Sequence, residues 1–405
     1  VVVLVLVMAG ACVAQAFGRF TYGVVLPAVR DDLLGGSNGA AGLIGTVNVT
    51  AYLAGTLAVA AAASRLSLVG LVRVGLVLST GGLLAASAAP NGAVLALAVA
   101  AMGLGGAAIW IPSPRLAAAA VPPERRGLAA GLVGMGIGAG LVFAGRLSDL
   151  VRHDQGDEAW RDVYRIEGLI GMVVLVAALV LLRDRAMPPQ GHRPPVAGPV
   201  SGAGFGGFGA LRRIEGWGAL TVAYATFGFM YLLVFAFLVA RLEDDAGFSA
   251  DRASSMFALT GLAAIFGGVV LGPLSDRFGR RRVMVGAFVL FGACTAVILT
   301  GTQPWVAIGA FGVGLAFSGL PAVIAAYVVD ATDAATYGPA YAAATLAFGL
   351  AQAASPQVGG LLADWTGSFT VVFWLSAALA LVGAAVSARL PPRRRPPAIQ
   401  PEPVR

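Results

Sequence analysis

Apolar residues fall along this chain in long runs, and polar residues gather in the short gaps between them. Reading each run to the nearest charge, proline or glycine gives twelve segments, roughly 1–27, 40–63, 70–89, 93–118, 127–148, 166–182, 217–240, 253–273, 283–301, 304–329, 338–362 and 369–389. Most hold about 20 residues or more, enough for an α-helix to cross a hydrocarbon core about 30 Å thick. A single large soluble core would not need so many runs of that length. The pattern predicts an all-α polytopic membrane protein with twelve transmembrane helices.

The gap between the sixth and seventh runs is different. Arg183 to Gly216, "RDRAMPPQGHRPPVAGPVSGAGFGGFGALRRIEG", is rich in Pro, Gly and Arg and reads as a flexible linker. The expected organisation is a six-helix bundle over 1–182, the linker over 183–216, a second six-helix bundle over 217–390 and a tail over 391–405. An internal repeat supports two pseudo-symmetric halves. Gly103, Gly105 and Pro112 recur 209 residues later as Gly312, Gly314 and Pro321, and Phe17-Gly18 recurs 210 later as Phe227-Gly228. "GRLSDL" from Gly145 recurs 215 later as "GLLADW" from Gly360. Single matches are weak where Gly and Ala are abundant, so the shared offset carries the argument.

Composition sharpens the class. Hydrophobic residues make up 58% of the chain and charged residues 12%, about half the charge of a soluble domain. The net charge of +7 is carried by arginine alone, with 27 arginines and no lysine, as a GC-rich genome would encode. Nearly all sit in short loops and not on one polar face, which argues against a nucleic-acid partner. With the N-terminus inside, nineteen arginines fall on the cytoplasmic side and seven outside. That excess places both termini and the linker in the cytoplasm. Val1 to Gly10 lacks the basic start of a secretory signal and reads as part of the first span. Cys12 and Cys294 lie within apolar runs, and His153 and His192 in separate loops. No metal-ligand cluster, nucleophile constellation or phosphate-binding loop emerges, so the expectation is no enzyme activity, no metal and no cofactor.

The most specific motif is "GPLSDRFGRRR", Gly272 to Arg282, between the eighth and ninth runs. It resembles the G-x-x-x-D-R-x-G-R-[RK] loop of the major facilitator superfamily through Gly272, Asp276, Arg277, Gly279, Arg280 and Arg281. Physically, Gly279 suits a tight reversal between antiparallel helices, and Asp276 suits a helix N-terminus or an arginine. The resemblance implies a gating latch that holds the cytoplasmic side closed. The equivalent loop of the first half, "SRLSLVGLVR", has Leu68 where the aspartate would stand. The fifth run is glycine-rich but lacks the proline usual in proton antiporters of the family, and "SPQVGG" in the eleventh only echoes that pattern. "GRFTYGVVLP" and "AQAASPQVGGLLADWTGSF" resemble a bacterial branch of uncharacterised arabinose-efflux-like permeases, which implies the bacterial inner membrane.

Arg19 is the exception to the charge pattern. A charge in the hydrocarbon costs about 2.5–3.5 kcal/mol on insertion scales, so a partner, a wet cavity or an escape route must offset it. Gln15, Arg19 and Tyr22 share one face of an ideal helix, as a cavity-lining stripe would. The alternative is that Arg19 snorkels to the outer headgroups. Further candidates are Asn48 with Tyr52, Tyr224 with Tyr231, and Thr345 with Gln352, each pair at helical spacing. Each could instead hydrogen-bond between helices. No acidic residue stands clearly inside a run; Asp149, Glu167, Asp330 and Asp364 lie near ends. The expected function is secondary transport of a small organic solute, anionic if Arg19 is its counter-charge, by alternating access of a monomer in the bilayer. Protons are a candidate coupling ion. A drug/proton efflux antiporter and a non-transporting membrane sensor are the alternatives.

Overall fold

The computed structural model describes residues 2–62, 65–122, 126–183, 206–333 and 336–392. The apolar runs wind into twelve long helices: α1 (Val2–Leu33), α2 (Asn38–Ala62), α3 (Leu68–Ser87), α4 (Gly92–Ala119), α5 (Arg126–Gln155), α6 (Trp160–Leu181), α7 (Trp217–Asp245), α8 (Ala250–Phe278), α9 (Arg280–Ile298), α10 (Trp305–Ala331), α11 (Tyr337–Thr366) and α12 (Thr370–Ala388). Eleven are long and apolar enough to cross a membrane; α11, rich in Ala and Gly, is long enough but less apolar. Large apolar side chains point outward, such as Leu97, Val173, Trp365 and Leu381. That surface suits hydrocarbon and would aggregate in water. Most of the predicted linker and all but the first residues of the predicted tail lie outside the described residues. At the linker's end, Gly206–Arg212 forms a short helix, with Leu211 and Ile214 buried.

Two helices run past their apolar cores. Helix α1 continues through Pro27 to Leu33, so the span does not stop where the apolar run does. Helix α6 begins at Trp160, six residues before the apolar run. Its first turns bury Trp160, Val163, Tyr164, Glu167 and Gly168 on one side. Asp162 and Arg165 pair at 2.6 Å on the other. The helix is therefore written in a three-to-four-residue period that a search for uninterrupted apolarity misses. Helix α1 is also irregular: Cys12–Phe20 is π-wound, with Thr21 N–H bonded to the Ala16 carbonyl five residues back.

Helices α1–α6 pack as one bundle and α7–α12 as another, and the bundles meet along α2–α11, α5–α8 and α1–α7. Small residues make these crossings possible. A methyl group on Gly138 would strike Ile265 and the Gly261 carbonyl, and one on Gly145 would strike Ser254 and Ala258. Gly42 and Gly360 are pressed in the same way against the backbones at Pro356 and Asn38. The cross-bundle polar contacts gather at the end that bears the α1–α2, α5–α6, α7–α8 and α11–α12 connections. At the opposite end Gly131 and Gly134 of α5 and Gly272 of α8 face open space. The molecule is sealed at one end and parted at the other.

The half-repeat needs a correction at residue level. Gly145 and Gly360 do occupy equivalent places, α5 against α8 and α11 against α2. The 209-residue offset does not align equivalent faces: Gly103 abuts α2, whereas Gly312 abuts α9, the counterpart of α3. Glycines at i and i+2 of a helix point to nearly opposite sides, so a match of spacing alone paired the wrong glycines.

The arginine distribution gives this geometry a direction. A reporter active only in the cytoplasm, fused after Gly202, is expected to be active, and one fused after Asp154 silent. The opposite result would place the sealed end in the cytoplasm.

Candidate functional site

The parted end leads toward a zone where α1, α2, α7, α10 and α11 converge. The π-wound turn of α1 delivers Arg19 to it. The Arg19 guanidinium lies over the Tyr52 ring at 5.1 Å and the Phe20 ring at 5.8 Å, so aromatic faces offset part of its charge. Its Nε and Nη2 are buried and have no hydrogen-bond partner among the described residues. No carboxylate pairs with it in that set. It lines a water-sized void of about 20 Å³ with Phe20, Asn48, Phe235 and Pro356.

Opposite Arg19 stands an aromatic wall. Tyr224, Phe227, Tyr231 and Phe235 recur along one face of α7, and Phe317, Tyr341 and Phe348 extend it. Tyr224 stacks on Phe348 at 4.6 Å, and Phe235 meets Phe317 at 4.5 Å. Phe20 joins the wall from the other bundle, 5.4 Å from Phe235.

The other sequence candidates are engaged in hydrogen bonds here. Gln15 Nε2 donates to the Gly106 carbonyl at 3.2 Å. Asn48 Nδ2 donates to the carbonyls of Gly18 and Val99, both at 3.0 Å, and so ties α2 to α1 and α4. Tyr22 lines the same void as Arg19 and donates its hydroxyl to the Ala41 carbonyl at 2.9 Å. Gln15 lies beside Tyr52 near Gly106, Arg19 covers the Tyr52 ring, and Tyr22 lines the void with Arg19, so the three stay near one another although the turn between them is π-wound. Gln352 Nε2 donates to the Tyr231 hydroxyl, the hydroxyls of Tyr224 and Tyr341 lie 3.2 Å apart, and Thr345 Oγ1 donates to the Tyr341 carbonyl. Tyr231, Gln352, Tyr224 and Thr345 thus belong to one wall, with Tyr52 facing it beneath Arg19.

The loop motif folds on itself. Arg280 pairs with Asp276 at 2.6 Å and with Asp330 of α10 at 3.0 Å. Arg281 donates to the Leu390 carbonyl, and Arg277 lies over the Phe278 ring. Gly279 takes φ +92°, which favours glycine at this reversal, and Gly272 faces open space. These contacts stay within the second bundle.

Two polar features lie outside the site residues read from the sequence. The first is the seal. Arg30 pairs with Asp244 across the bundles. Arg152, its side chain fully buried, pairs with Glu243 at 2.7 Å. Asp364 of α11 accepts the Asn38 and Gly39 N–H groups at the start of α2, both at 2.8 Å, together with the Ser37 hydroxyl. Asp149, its counterpart in the 215-residue repeat, accepts the Ser255 hydroxyl of α8 at 2.9 Å. The repeated Asp of "GRLSDL" and "GLLADW" is the signal that pointed there. The second feature is Glu167, fully buried inside the first bundle. It accepts the Thr21 hydroxyl at 2.7 Å.

Two six-helix bundles that meet at one end, with a cation that has no ion-pair partner among the described residues where they part, are the architecture of the carrier class of helical membrane proteins. The family description "Uncharacterised MFS-type transporter YbfB" matches residues 11–388, and the chain belongs to the major facilitator superfamily. It is 27% identical over 306 residues to the uncharacterised MFS-type transporter YfhI of Bacillus subtilis, covering 73% of this chain and 70% of that one. It is 25% identical over 283 residues to human monocarboxylate transporter 6, covering 65% and 55%. A third relative, ZINC INDUCED FACILITATOR-LIKE 1 of Arabidopsis thaliana, is 31% identical over 34% of this chain, but the match spans only 28% of that protein. The fold resembles a bacterial homologue of the human lysosomal transporter Spinster, inward-facing and unoccupied, with TM-score 0.73, 18% identity and 98% coverage of both chains. A D-xylose-proton symporter gives TM-score 0.73 at 14% identity, covering 97% of this chain and 98% of that one.

Proposed function

We propose that the chain moves a small organic anion across the bacterial inner membrane by alternating access, as a monomer with both termini cytoplasmic. On this reading the present state is open to the cytoplasm and sealed outside. The carrying observation is Arg19: a guanidinium between the bundles whose buried nitrogens have no acceptor among the described residues. A carboxylate on the solute would supply that acceptor in a bidentate geometry. The aromatic wall of Tyr224, Tyr231 and Phe348 suits an apolar or ring-bearing body behind the carboxylate. Likeness to a protein named a monocarboxylate transporter agrees in the sign of the charge. When the cytoplasmic end closes, the Gly272–Arg281 loop would exchange its internal pairs for contacts to the first bundle, as a latch.

The test is ligand stabilisation of the purified protein. Aromatic and aliphatic carboxylates are expected to raise the melting temperature, and their uncharged amides to do so far less. Stabilisation by cationic dyes but not by acids would favour drug/proton antiport instead.

A further inference from the structure

Glu167 has no part in the site above. It lies in α6, with its side chain closed off by α1 and α3. One carboxyl oxygen accepts the Thr21 hydroxyl; the other, Oε2, is buried and has no partner among the described residues. Among the described residues the surroundings offer hydroxyl and thiol groups and no cation. Tyr164, one turn earlier on α6, is buried, and its hydroxyl is also without a partner. Thr80 of α3, with an unpartnered hydroxyl of its own, packs against Gly171, one turn later. Cys12 of α1 and Tyr164 are the titratable groups that interact electrostatically with Glu167, and Tyr22 lies beyond Tyr164. No ion pair includes Glu167 among the described residues.

An ionised carboxylate sealed in such a place, without a cation, is strongly disfavoured. The form that fits is the neutral acid. We infer that Glu167 is a proton-binding site whose occupancy is linked to the sealed conformation, and so supplies the coupling proton to the transport reaction. This rests on the transport reading given above. The link runs through Thr21, which holds Glu167 and lies in α1 two residues after Arg19. Two residues further on, Gly23 presses on the backbone of α7 at Phe235 and Ala236. Losing the proton leaves a bare charge in the sealed packing. Deprotonation therefore favours conformations in which α1 shifts against α3 and α6 so that water reaches the carboxylate, and in that shift Gly23, on the same helix, leaves its seat on α7. By linkage, the sealed conformation binds the proton more tightly.

The experiment needs no known substrate. Fluorophores are placed through non-canonical amino acids at Asp154 and Thr302, exposed positions on the sealed end of the two bundles. Energy transfer in proteoliposomes then reports opening of that end. Between pH 5 and pH 9 the open-to-sealed ratio of the parent is expected to rise at least tenfold. Glu167→Gln, isosteric and neutral, should stay sealed across the range, and Glu167→Asp should keep a pH response. A parent without pH response, or a Glu167→Gln protein that titrates like the parent, overturns the assignment. Sodium chloride at fixed pH should leave the ratio unchanged; a sodium-driven shift would make the site one for a metal cation and overturn it as well. Failure of the anion reading alone would leave these pH results intact and would appear only in the ligand panel.

Discussion

Replacing Arg19 by glutamine is expected to lower affinity for a carboxylate solute by roughly tenfold or more, while the protein inserts at least as well as the parent. A charge-assisted hydrogen bond is worth about 1.5–3 kcal/mol, and each 1.4 kcal/mol is a factor of ten. The geometry explains why insertion should not suffer. Arg19 Nε and Nη2 make no hydrogen bond to the described residues, so the substitution breaks no polar network. What it removes inside the protein is cation–π contact with Tyr52 and Phe20, worth about 0.5–2 kcal/mol. Removal of an intramembrane charge offsets that loss. Arg19→Lys should recover only part of the affinity, since an ammonium cannot present the planar fork. The competing account, an arginine snorkelling to headgroups, predicts a different pair of results. Lysine would then match the parent, and glutamine would lower folded yield with affinity intact. Calorimetric affinity and folded yield of the two variants, using an acid found in the stabilisation panel, separate the accounts.

The second large effect is expected at the seal. Arg152 comes from α5 and Glu243 from α7, so the pair forms only while that end is shut. The Arg152 side chain is fully buried and donates to Glu243 at 2.7 and 3.0 Å. Glu243→Gln removes the charge and keeps the size. Removing one member of a buried pair typically costs about 3–5 kcal/mol. Here Asp157, in the same bundle as Arg152 and 2.6 Å from it, still holds part of the charge. A loss nearer 1.5–3 kcal/mol is therefore expected, as for a charged hydrogen bond. The sealed state should lose roughly ten- to hundredfold in population. Energy transfer between labels at Asp154 and Thr302 measures it. Arg165→Gln is the control, because its partner Asp162 lies in the same helix and at the surface; it should leave the equilibrium unchanged. Equal behaviour of the two variants would mean that the seal is held by helix packing alone.

How much of this was legible in the sequence depends on how local each signal is. A run of about 20 apolar residues is a local property with one physical meaning in a bilayer, so the helices and their division into two sixes were readable. Arg19 was readable for the same reason, as a charge among apolar neighbours. Glu167 was not, because the amphipathic start of α6 disguised two turns of helix as a loop and so moved the carboxylate to an apparent end. The π-wound turn that aims Arg19 leaves no mark in composition. Arg30 and Asp244 are 214 residues apart, and nothing in either neighbourhood announces the other. Asp149 and Asp364 were quoted as a repeat, yet what repetition showed was symmetry; that both carboxylates bridge the bundles required coordinates.

The glycines of α5 carry one more consequence. Gly131, Gly138 and Gly145 are spaced by seven, and so lie along a single stripe. Gly138 and Gly145 are filled by α8, while Gly131 meets nothing. On α8 the matching stripe runs from Gly261, which is filled, to Gly272, which is empty. The vacant notches have the same cut as the occupied ones and continue the same line. A deep mutational scan should therefore record a shape that no single conformer displays. Bulky residues at Gly138 and Gly145 would be rejected by the state described above. Any intolerance at Gly131 and Gly272 would have to come from the other one, like wear on a lock face that the key touches only when turned.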